Sequence, residues 1–379
     1  MIKIFKMSLA GLLFSVATIS SAGMITPNPT APSIAGTAHI LQDYDSGHIL
    51  MSENADERLP PASITKLMTS YVVSQEIHDG NIKLDDEVLI SEKAWRMIGS
   101  RSFIEVNTKV TVEALLRGMI VQSGNDAAVA LAEHVAGSEE VFAQMMNQYA
   151  QKLGMVNTNY QNATGLPGAE HYTTAHDIAI LSAALIRDFP EHYQWYAEKE
   201  YTYNGITQHN RNKLLWRDNT VDGLKTGHTE EAGYCLSASA KRDGMRLIAV
   251  VLGTASENAR AQEIQKMFNF GFRFFETHQL YAADEAITQT KVWKGQTDQL
   301  NLGLAQPLSI TVPRGRYKDL QASTNIQQPV VAPVAKGSEL GEVEIRLGDE
   351  VVATRMLVAV DEVEKGSWWR RILDSLLML

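Results

Sequence analysis

The pattern of apolar and polar residues between about Gly36 and His278 predicts short strands that alternate with long helices. Residues 38–54 (AHILQDYDSGHILMSEN) alternate in the manner of a hairpin that turns at Asp45, Ser46 and Gly47. Residues 110–124 (VTVEALLRGMIVQSG) and 125–137 (NDAAVALAEHVAG) have a helical period, and each segment ends at a glycine. The pattern therefore places a helical block after an N-terminal hairpin.

The sheet pattern returns at residues 233–254 (GYCLSASAKRDGMRLIAVVLGT), which predict two buried strands joined by a turn at Arg242, Asp243 and Gly244. Residues 257–278 (ENARAQEIQKMFNFGFRFFETH) then predict one long helix. Two sheet segments with helices between them indicate an α/β (α+β) body that carries a helical subdomain, here placed at residues 37–280.

The pattern changes from about Leu280 to strand-like alternation with turns at Gly and Asp. Segments such as PLSITVPRG and GEVEIRLGDEVVATRMLVAV have no helical period. Residues 281–362 therefore predict a small all-β sandwich domain.

The two ends of the chain have patterns of their own. The first 22 residues combine lysines, a short apolar run and small residues before a cleavage point, which is typical of a signal peptide. Residues 23–36 predict a flexible lead-in, and the mature chain is expected to be exported.

At the other end, residues 363–379 predict an amphipathic helix. Trp368, Trp369 and four aliphatic residues share one face, opposite Arg370 and Arg371. The helix is too short to span a bilayer, so it is expected to lie on a membrane surface after a linker, DEVEKG. Docking on the protein's own core is the alternative.

Composition narrows the function. The 379 residues are 45% hydrophobic and 21% charged, as in an ordinary soluble protein. A net charge of −10 excludes nucleic acid as an expected partner. Cys235 has no second cysteine to pair with and is interpreted as a small buried apolar residue.

The candidate chemistry lies in three short motifs. Ser63 and Lys66 stand three residues apart at a predicted helix start, so their side chains share one face. Alone, this pair has no specificity. A Ser-x-Asn at Ser123 and Asn125 and a Lys-Thr-Gly at residues 225–227 follow in order, and this is the set found in β-lactamases and penicillin-binding proteins.

Each member of the set has a chemical task. A serine hydroxyl needs a base, and Lys66 can serve Ser63 if burial and a second cation lower its pKa. Ser123 can relay a proton to the leaving amine, and Asn125 can orient Lys66 and the substrate amide.

The third motif would complete the site. The N–H groups of Ser63 and His228 suit an oxyanion hole. Lys225 and Thr226 suit a substrate carboxylate. No cofactor or metal is expected, because the histidines form no ligand set. His171, His176 and Asp177 are better explained by Thr174 capping a helix that has Asp177 in its first turn.

The sequence resembles the D-alanyl-D-alanine carboxypeptidases, the low-molecular-mass penicillin-binding proteins of Gram-negative bacteria, over nearly the whole mature chain. The resemblance is carried by PASITKLMT, GSRSF, QSGNDA, NATGLP…HYTTAHDIA, HNRNKLLW, VDGLKTGHTEEAGYCL, FGFRFFET, TVPRG and the Trp-rich tail. It implies a penicillin-recognising serine-hydrolase body, related in fold to β-lactamases and transpeptidases, a β-sandwich stalk, and a tail on the periplasmic face of the inner membrane.

The resemblance also implies roles for individual residues. Ser63 would be the acyl-ester nucleophile and Lys66 its base, and Ser123 with Asn125 would form the second element. The third comprises Lys225, Thr226, Gly227 and His228. Arg211 and Arg260 fall where the family has arginines near the site, and one of them would bind the terminal carboxylate; a surface ion pair is the alternative for each.

The implied substrates are peptidoglycan stem peptides that end in D-Ala-D-Ala, with β-lactams as covalent inhibitors. A β-lactamase is disfavoured, because the Glu-x-x-Leu-Asn of class A enzymes is missing between the second and third motifs. A transpeptidase or endopeptidase would use the same residues, so the sequence leaves both open. A catalytically silent wall-binding protein is disfavoured by three intact motifs.

Overall fold

The computed structural model describes residues 30–378. The predicted signal peptide, 1–22, and residues 23–29 of the predicted lead-in lie outside the described residues. Two later lead-in residues contact the body: Ile34 is buried in an apolar cluster, and Ala35 N–H donates to Glu263 Oε2 at 3.1 Å.

The strands and helices of the body follow the predicted alternation. Its strands are Ala38–Asp43 (β1), Ile49–Glu53 (β2), Glu87–Leu89 (β3), Lys109–Thr111 (β4), Glu200–Tyr203 (β5), Ile206–His209 (β6), Val221–Thr229 (β7), Gly233–Arg242 (β8) and Met245–Thr254 (β9). Its helices are Lys66–His78 (α1), Glu92–Trp95 (α2), Val112–Val121 (α3), Asn125–Ala136 (α4), Glu139–Leu153 (α5), Ala175–Asp188 (α6), Pro190–Tyr193 (α7), Leu214–Arg217 (α8) and Glu257–Phe274 (α9).

The main sheet has the strand order β2-β1-β9-β8-β7, so both ends of the body's sequence supply it, as predicted. Its neighbouring strands are antiparallel. Because side chains alternate across a strand, the sheet separates two apolar clusters. Ile248 and Val250 of β9 belong to the cluster shared with the helical block, whereas Leu247 and Val251 belong to the cluster beneath α9.

Helix α1 runs through the middle of the helical block. Each residue from Lys66 to Ser74 is buried, so this helix has no solvent-facing side over its first two turns. A helix enclosed in this way is fixed by packing on every side. The residues at its N-terminus are therefore held in place by the core.

Two predicted helix ends are wrong. The helix predicted for 110–124 ends at Val121, because Ser123 has a left-handed φ of 70° that breaks the helix before α4. The helix predicted for 257–278 ends at Phe274, because Phe275 begins a strand that pairs with the C-terminal domain.

That domain is all-β, as predicted, apart from a short 3-10 turn at Tyr317–Asp319. Its strands are Phe275–Tyr281 (β10), Thr288–Trp293 (β11), Gln299–Gly303 (β12), Leu308–Pro313 (β13), Leu320–Ile326 (β14), Val330–Val331 (β15), Glu339–Leu347 (β16) and Glu350–Ala359 (β17). β10 pairs with β13, and the other strands form a sheet ordered β14-β16-β17-β12-β11-β15. Side chains from both sheets enclose one apolar cluster.

The chain ends in helix Trp368–Leu377 (α10), whose residues are all at least partly exposed. Its polar side contacts the β11–β12 loop: Lys294 N–H donates to Asp374 Oδ2 at 2.5 Å, and Arg370 pairs with Asp298. The segment predicted as a free linker is instead part of the β domain, because Val363 is buried and pairs with Val334. Within residues 30–378, no helix is both long enough and apolar enough to cross a membrane.

Candidate active site

Ser63 lies in the turn that leads into α1. A 3-10 helix, Ala62–Thr65, precedes Lys66, the first residue of α1. Ala62 has a left-handed φ of 47°, an uncommon conformation for a residue with a Cβ. The turn therefore presents Ser63, which is half-buried, at the start of a helix whose body is rigidly packed.

The Lys66 amine lies beneath Ser63 and has three oxygen neighbours. Its Nζ is 3.0 Å from Ser63 Oγ, 2.7 Å from Asn125 Oδ1 and 2.5 Å from the carbonyl oxygen of Thr164. A neutral amine has two N–H groups and one lone pair. Two of the three neighbours are carbonyl oxygens that can only accept, so a neutral Lys66 directs its lone pair at the Ser63 hydroxyl.

The electrostatics favour that neutral form. Burial, with the nearby charge of Arg211 as the second cause, lowers the pKa of Lys66 from 10.5 to about 7, although Asp126 and Glu139 act in the opposite direction. Burial and the charges of Lys66, Arg211 and Arg260 also hold the pKa of Lys225 well below its usual value. The site therefore brings several basic side chains together in a buried place, and this arrangement disfavours the protonated forms of Lys66 and Lys225.

Ser123 and Asn125 occupy the junction between α3 and α4. Asn125 is nearly buried, and its Nδ2 donates to the Ile98 carbonyl at 2.6 Å while its Oδ1 accepts from Lys66. Ser123 is buried as well, and its Oγ has no hydrogen-bond partner among the described residues. An unpaired buried hydroxyl is costly, and this one is found where the sequence predicts a proton relay.

The Lys-Thr-Gly motif lies within β7, the edge strand of the main sheet, as predicted. Lys225 and Thr226 are buried, and the Lys225 Nζ donates to Thr226 O at 3.3 Å. Gly227 faces the Ser63 turn so closely that an added Cβ would lie 3.0 Å from Pro61 O. His228 is exposed, and its ring stacks on Tyr234 at 4.0 Å.

Arg211 and Arg260 both line the cleft, and neither makes an ion pair within residues 30–378. Arg260 is only 4% exposed, and its Nη1 donates to Gly227 O at 3.0 Å. Arg211 is exposed, and no surface ion pair accounts for either arginine within the described chain.

These groups share one cleft of about 400 Å³. Of the residues predicted for the site, the cleft wall contains Ser63, Ser123, Asn125, Arg211, Thr226, Gly227, His228 and Arg260. Lys66 and Lys225 are buried, with Lys66 in contact with Ser63 and Lys225 adjacent to Thr226. The structure thus brings together all ten residues.

Residues 162–167 (NATGLP) entered only as part of the family resemblance, and no role was predicted for the loop that contains Thr164 and Gly165. Asn162 Oδ1 accepts from Thr164 N (3.1 Å), Thr164 Oγ1 (2.9 Å) and Gly165 N (2.7 Å), which closes the loop into a tight turn. Gly165 has a φ of 84°, and an added Cβ would lie 1.8 Å from Ala62 O. The Asn-x-x-Gly spacing is a turn signal that could have identified this loop.

Glu257, at the start of α9, also lines the cleft and was not predicted. Its carboxylate pairs with Lys213 at 2.8 Å, and that contact, followed by the charges of Lys213, Arg260 and Arg211, lowers its pKa despite partial burial. No pattern in the sequence pointed to it.

The residues considered as metal ligands have other roles. Thr174 caps α6 by accepting from Asp177 N–H at 3.0 Å, as predicted, and His176 contacts Asp56 at 3.0 Å. No group of three or more His, Cys, Asp or Glu side chains within residues 30–378 is placed to hold a metal ion. Cys235 is fully buried, and burial raises its pKa to about 11, in agreement with its interpretation as a core residue.

Comparison with known proteins places this cleft in a family. The peptidase S11 family, described as D-alanyl-D-alanine carboxypeptidase, matches residues 25–256. The family described as penicillin-binding protein 5, C-terminal domain, matches residues 275–365. Together these two matches cover both the body and the β domain.

Individual relatives agree. The chain is 45% identical over 356 residues to D-alanyl-D-alanine carboxypeptidase DacC of Escherichia coli, which covers 92% of this chain and 89% of the relative. A crystal structure of penicillin binding protein 5 from Haemophilus influenzae superposes with a TM-score of 0.86 at 42% identity, covering 89% of this chain and 100% of that one.

Penicillin-binding protein D2 from Listeria monocytogenes, in its ampicillin-bound form, superposes with a TM-score of 0.59 at 30% identity and covers 64% of this chain and 100% of its own. The predicted penicillin-recognising body, followed by an all-β domain and a terminal helix, is therefore confirmed as the fold. The chain belongs to the D-alanyl-D-alanine carboxypeptidases of peptidase family S11.

Proposed function

We propose that this protein is a serine-type carboxypeptidase that removes the terminal D-alanine from peptidoglycan stem peptides through an acyl-enzyme on Ser63. The observation that carries the proposal is the placement of Lys66, with two carbonyl oxygens to take its N–H groups and its lone pair left for Ser63 Oγ. Such a pair activates a serine without a histidine.

In the first half of the reaction, Ser63 Oγ attacks the carbonyl carbon of the penultimate D-alanine while its proton passes to Lys66. The N–H groups of Ser63 and His228 stabilise the negative charge that forms on the carbonyl oxygen. β7 is an edge strand, so alternate N–H groups point away from β8, and the proposal assigns the N–H of His228 to that unpaired side.

Collapse of this intermediate breaks the peptide bond. The leaving amine of the terminal D-alanine takes a proton through the Ser123 hydroxyl, and Lys66 is the source of that proton. A water molecule then attacks the acyl carbon and gives its proton to Lys66. The bond between that carbon and Ser63 Oγ breaks, Lys66 returns the proton to Ser63 Oγ, and the shortened peptide is released.

The cationic side of the cleft would hold the substrate's terminal carboxylate. Thr226 presents a hydroxyl to the cleft, Lys225 is adjacent to it, and Arg211 and Arg260 also line the cleft and are near enough for their charges to act on Lys225. A planar guanidinium matches a carboxylate better than an ammonium does. Arg260 already donates to Gly227 O, so it also fixes the strand that supplies Thr226 and His228.

β-Lactams would acylate the same serine, because their strained amide and carboxylate imitate the D-Ala-D-Ala end. The ampicillin-bound relative from Listeria supports this assignment.

We also propose that the mature chain is periplasmic and rests on the outer face of the inner membrane through α10. Trp368, Trp369 and Leu373 are 58%, 66% and 58% exposed, while the polar side of the helix contacts its own domain. An apolar face turned away from the protein fits a membrane interface and disfavours docking on the core. The division into signal peptide 1–22, lead-in 23–36, body 37–280, β domain 281–362 and helix 363–379 belongs to the same proposal.

The test of the proposed activity is release of free D-alanine from a synthetic peptide that ends in Lys-D-Ala-D-Ala. The mature protein should release one D-alanine per peptide consumed, and Ser63→Ala should release none. Wild-type protein that binds penicillin covalently yet releases no D-alanine would show that the acyl donor has been misassigned.

A further inference from the structure

His171 lies next to the proposed Ser63–Lys66 pair but outside the cleft wall. It is 4% exposed, and its Nε2 is 2.9 Å from Oγ1 of Thr65, the residue immediately before Lys66. Its ring also meets Tyr160 edge-on at 5.9 Å. None of the roles described above uses this histidine.

The hydrogen bonds fix which ring nitrogen carries the proton. Gln161 N–H points at His171 Nδ1 at 3.2 Å, and a backbone N–H can only donate, so Nδ1 accepts. Asn162 Nδ2 lies 3.3 Å from the same nitrogen. In the neutral ring the proton is therefore on Nε2, which donates to Thr65 Oγ1.

The imidazole ring of His171 is neutral near pH 7. Burial, followed by the charge of Lys66, lowers the pKa of His171 to about 4. Lys66 and Tyr160 are the titratable groups that face it, and burial raises the pKa of Tyr160, so that phenol stays neutral as well. His171 thus adds no further cation beside Lys66.

The two sides of the ring hold two different parts of the site. Nε2 holds the turn that carries Ser63 and Lys66, and Nδ1 holds residues 161 and 162, where the Thr164 loop begins. That loop supplies one of the two carbonyl oxygens that take the N–H groups of Lys66. A movement between turn and loop would change where the lone pair of Lys66 points.

We propose that His171, as the neutral tautomer protonated on Nε2, is a positioning residue that keeps the Ser63–Lys66 turn in register with the carbonyl of Thr164. This inference rests on the proposed role of Lys66 as the base. His171 touches no substrate, so its replacement should lower kcat and the acylation rate while leaving KM little changed.

The experiment measures the acylation rate by a labelled penicillin across pH, together with kcat and KM for the D-Ala-D-Ala peptide. His171→Ala should slow acylation by about tenfold or more, since small misplacements at reacting groups are costly. The acidic limb of the plot of acylation rate against pH should move to higher pH. Water that enters the loosened site relieves the burial that lowers the pKa of Lys66, so this pKa rises.

His171→Gln should restore most of the rate, because its amide nitrogen can donate to Thr65 Oγ1. His176→Gln is the matched control: this histidine is half-buried, contacts Asp56 and lines no part of the cleft, so the variant should leave both rate and pH profile unchanged. A His171→Ala enzyme with the wild-type rate and acidic limb would overturn the proposal.

If His171→Ala does not fold, Thr65→Val cuts the same hydrogen bond from the other side. It should show the same shift of the acidic limb, and adding His171→Gln should cost little more. Additive losses in the double variant would contradict the proposal. Wild-type protein without penicillin labelling or D-alanine release would instead contradict the underlying function.

Discussion

At the scale of residues, the site depends on how the charge of Lys66 is controlled. Lysine is normally protonated at neutral pH, and only the neutral amine can take the proton of Ser63. Burial is the main cause of its lowered pKa, and the charge of Arg211 is the second. With a pKa of about 7, the fraction of neutral Lys66 rises as pH rises through neutrality, so acylation should rise with it.

Arg211→Gln should shift this profile. Removing the neighbouring charge raises the pKa of Lys66, so the acidic limb of penicillin acylation should move to higher pH by a fraction of a unit. The position of the limb is the readout, because the height of the profile also reports carboxylate binding. Arg217→Gln, an exposed arginine that contacts Asn258, is the control. A limb that moves to lower pH, or that coincides with this control, would contradict the assignment.

At the scale of elements, three of the residues around the cleft lie in turns and not within helices. Ser63 lies in a 3-10 turn, Ser123 in the break between α3 and α4, and Thr164 in a loop closed by Asn162. Left-handed conformations at Ala62 and Ser123 each store about 1–3 kcal/mol of strain that surrounding packing must offset. The rigid α1 and the edge strand β7 enclose these turns.

Gly165→Ala tests the contact between two of these turns. A Cβ would meet Ala62 O at 1.8 Å, so the variant should both lose stability and acylate slowly. Gly154→Ala is the matched control, because Gly154 has a nearly equal φ of 82° and no atom within 4 Å of the added Cβ. It should lose only about 1–2 kcal/mol of unfolding free energy in urea titrations, with unchanged acylation. Equal acylation rates in the two variants would refute the contact.

The sequence predicted the motifs more reliably than the ends of elements. Ser63, Ser123 and Lys225 were found from short spacings, because reaction chemistry restricts which residue types can serve. The end of α3 was missed, because Ser123 is not a glycine and nothing in its identity signals the left-handed φ that it adopts in the folded chain. Glu257 was missed for a similar reason: only folding brings the start of α9 to the cleft.

At the scale of the whole molecule, the β domain links the body to the terminal helix. Thr277 Oγ1 donates to Asp43 Oδ2 at 2.7 Å and lies 2.8 Å from Thr311 Oγ1, so threonine hydroxyls join the β1 strand to β10 and β13. At the other end, Gly366 N–H donates to Lys294 O at 2.8 Å. The segment before α10 is thus a structured part of the domain, which a pattern of charged residues did not reveal.

Removing residues 367–379 should yield a soluble enzyme with unchanged activity on soluble peptides, because α10 contributes no buried side chain. Co-sedimentation with lipid vesicles should be lost, while the full-length mature chain pellets. Removing 363–379 should in addition lower the unfolding free energy, because Val363 is in the core and a buried valine contributes about 1.5–3 kcal/mol. Vesicle binding that survives the shorter truncation would contradict the role of α10.

The central claim is that Ser63 carries the acyl group, and intact-mass measurement after brief exposure to penicillin tests it most directly. The wild-type chain should gain the mass of one penicillin. After digestion, this added mass should lie on the peptide that contains Ser63. Ser63→Ala should gain none, and Ser123→Ala should gain it slowly if Ser123 relays the proton as proposed. An adduct that persists in Ser63→Ala, or that maps to Ser123, would contradict the account.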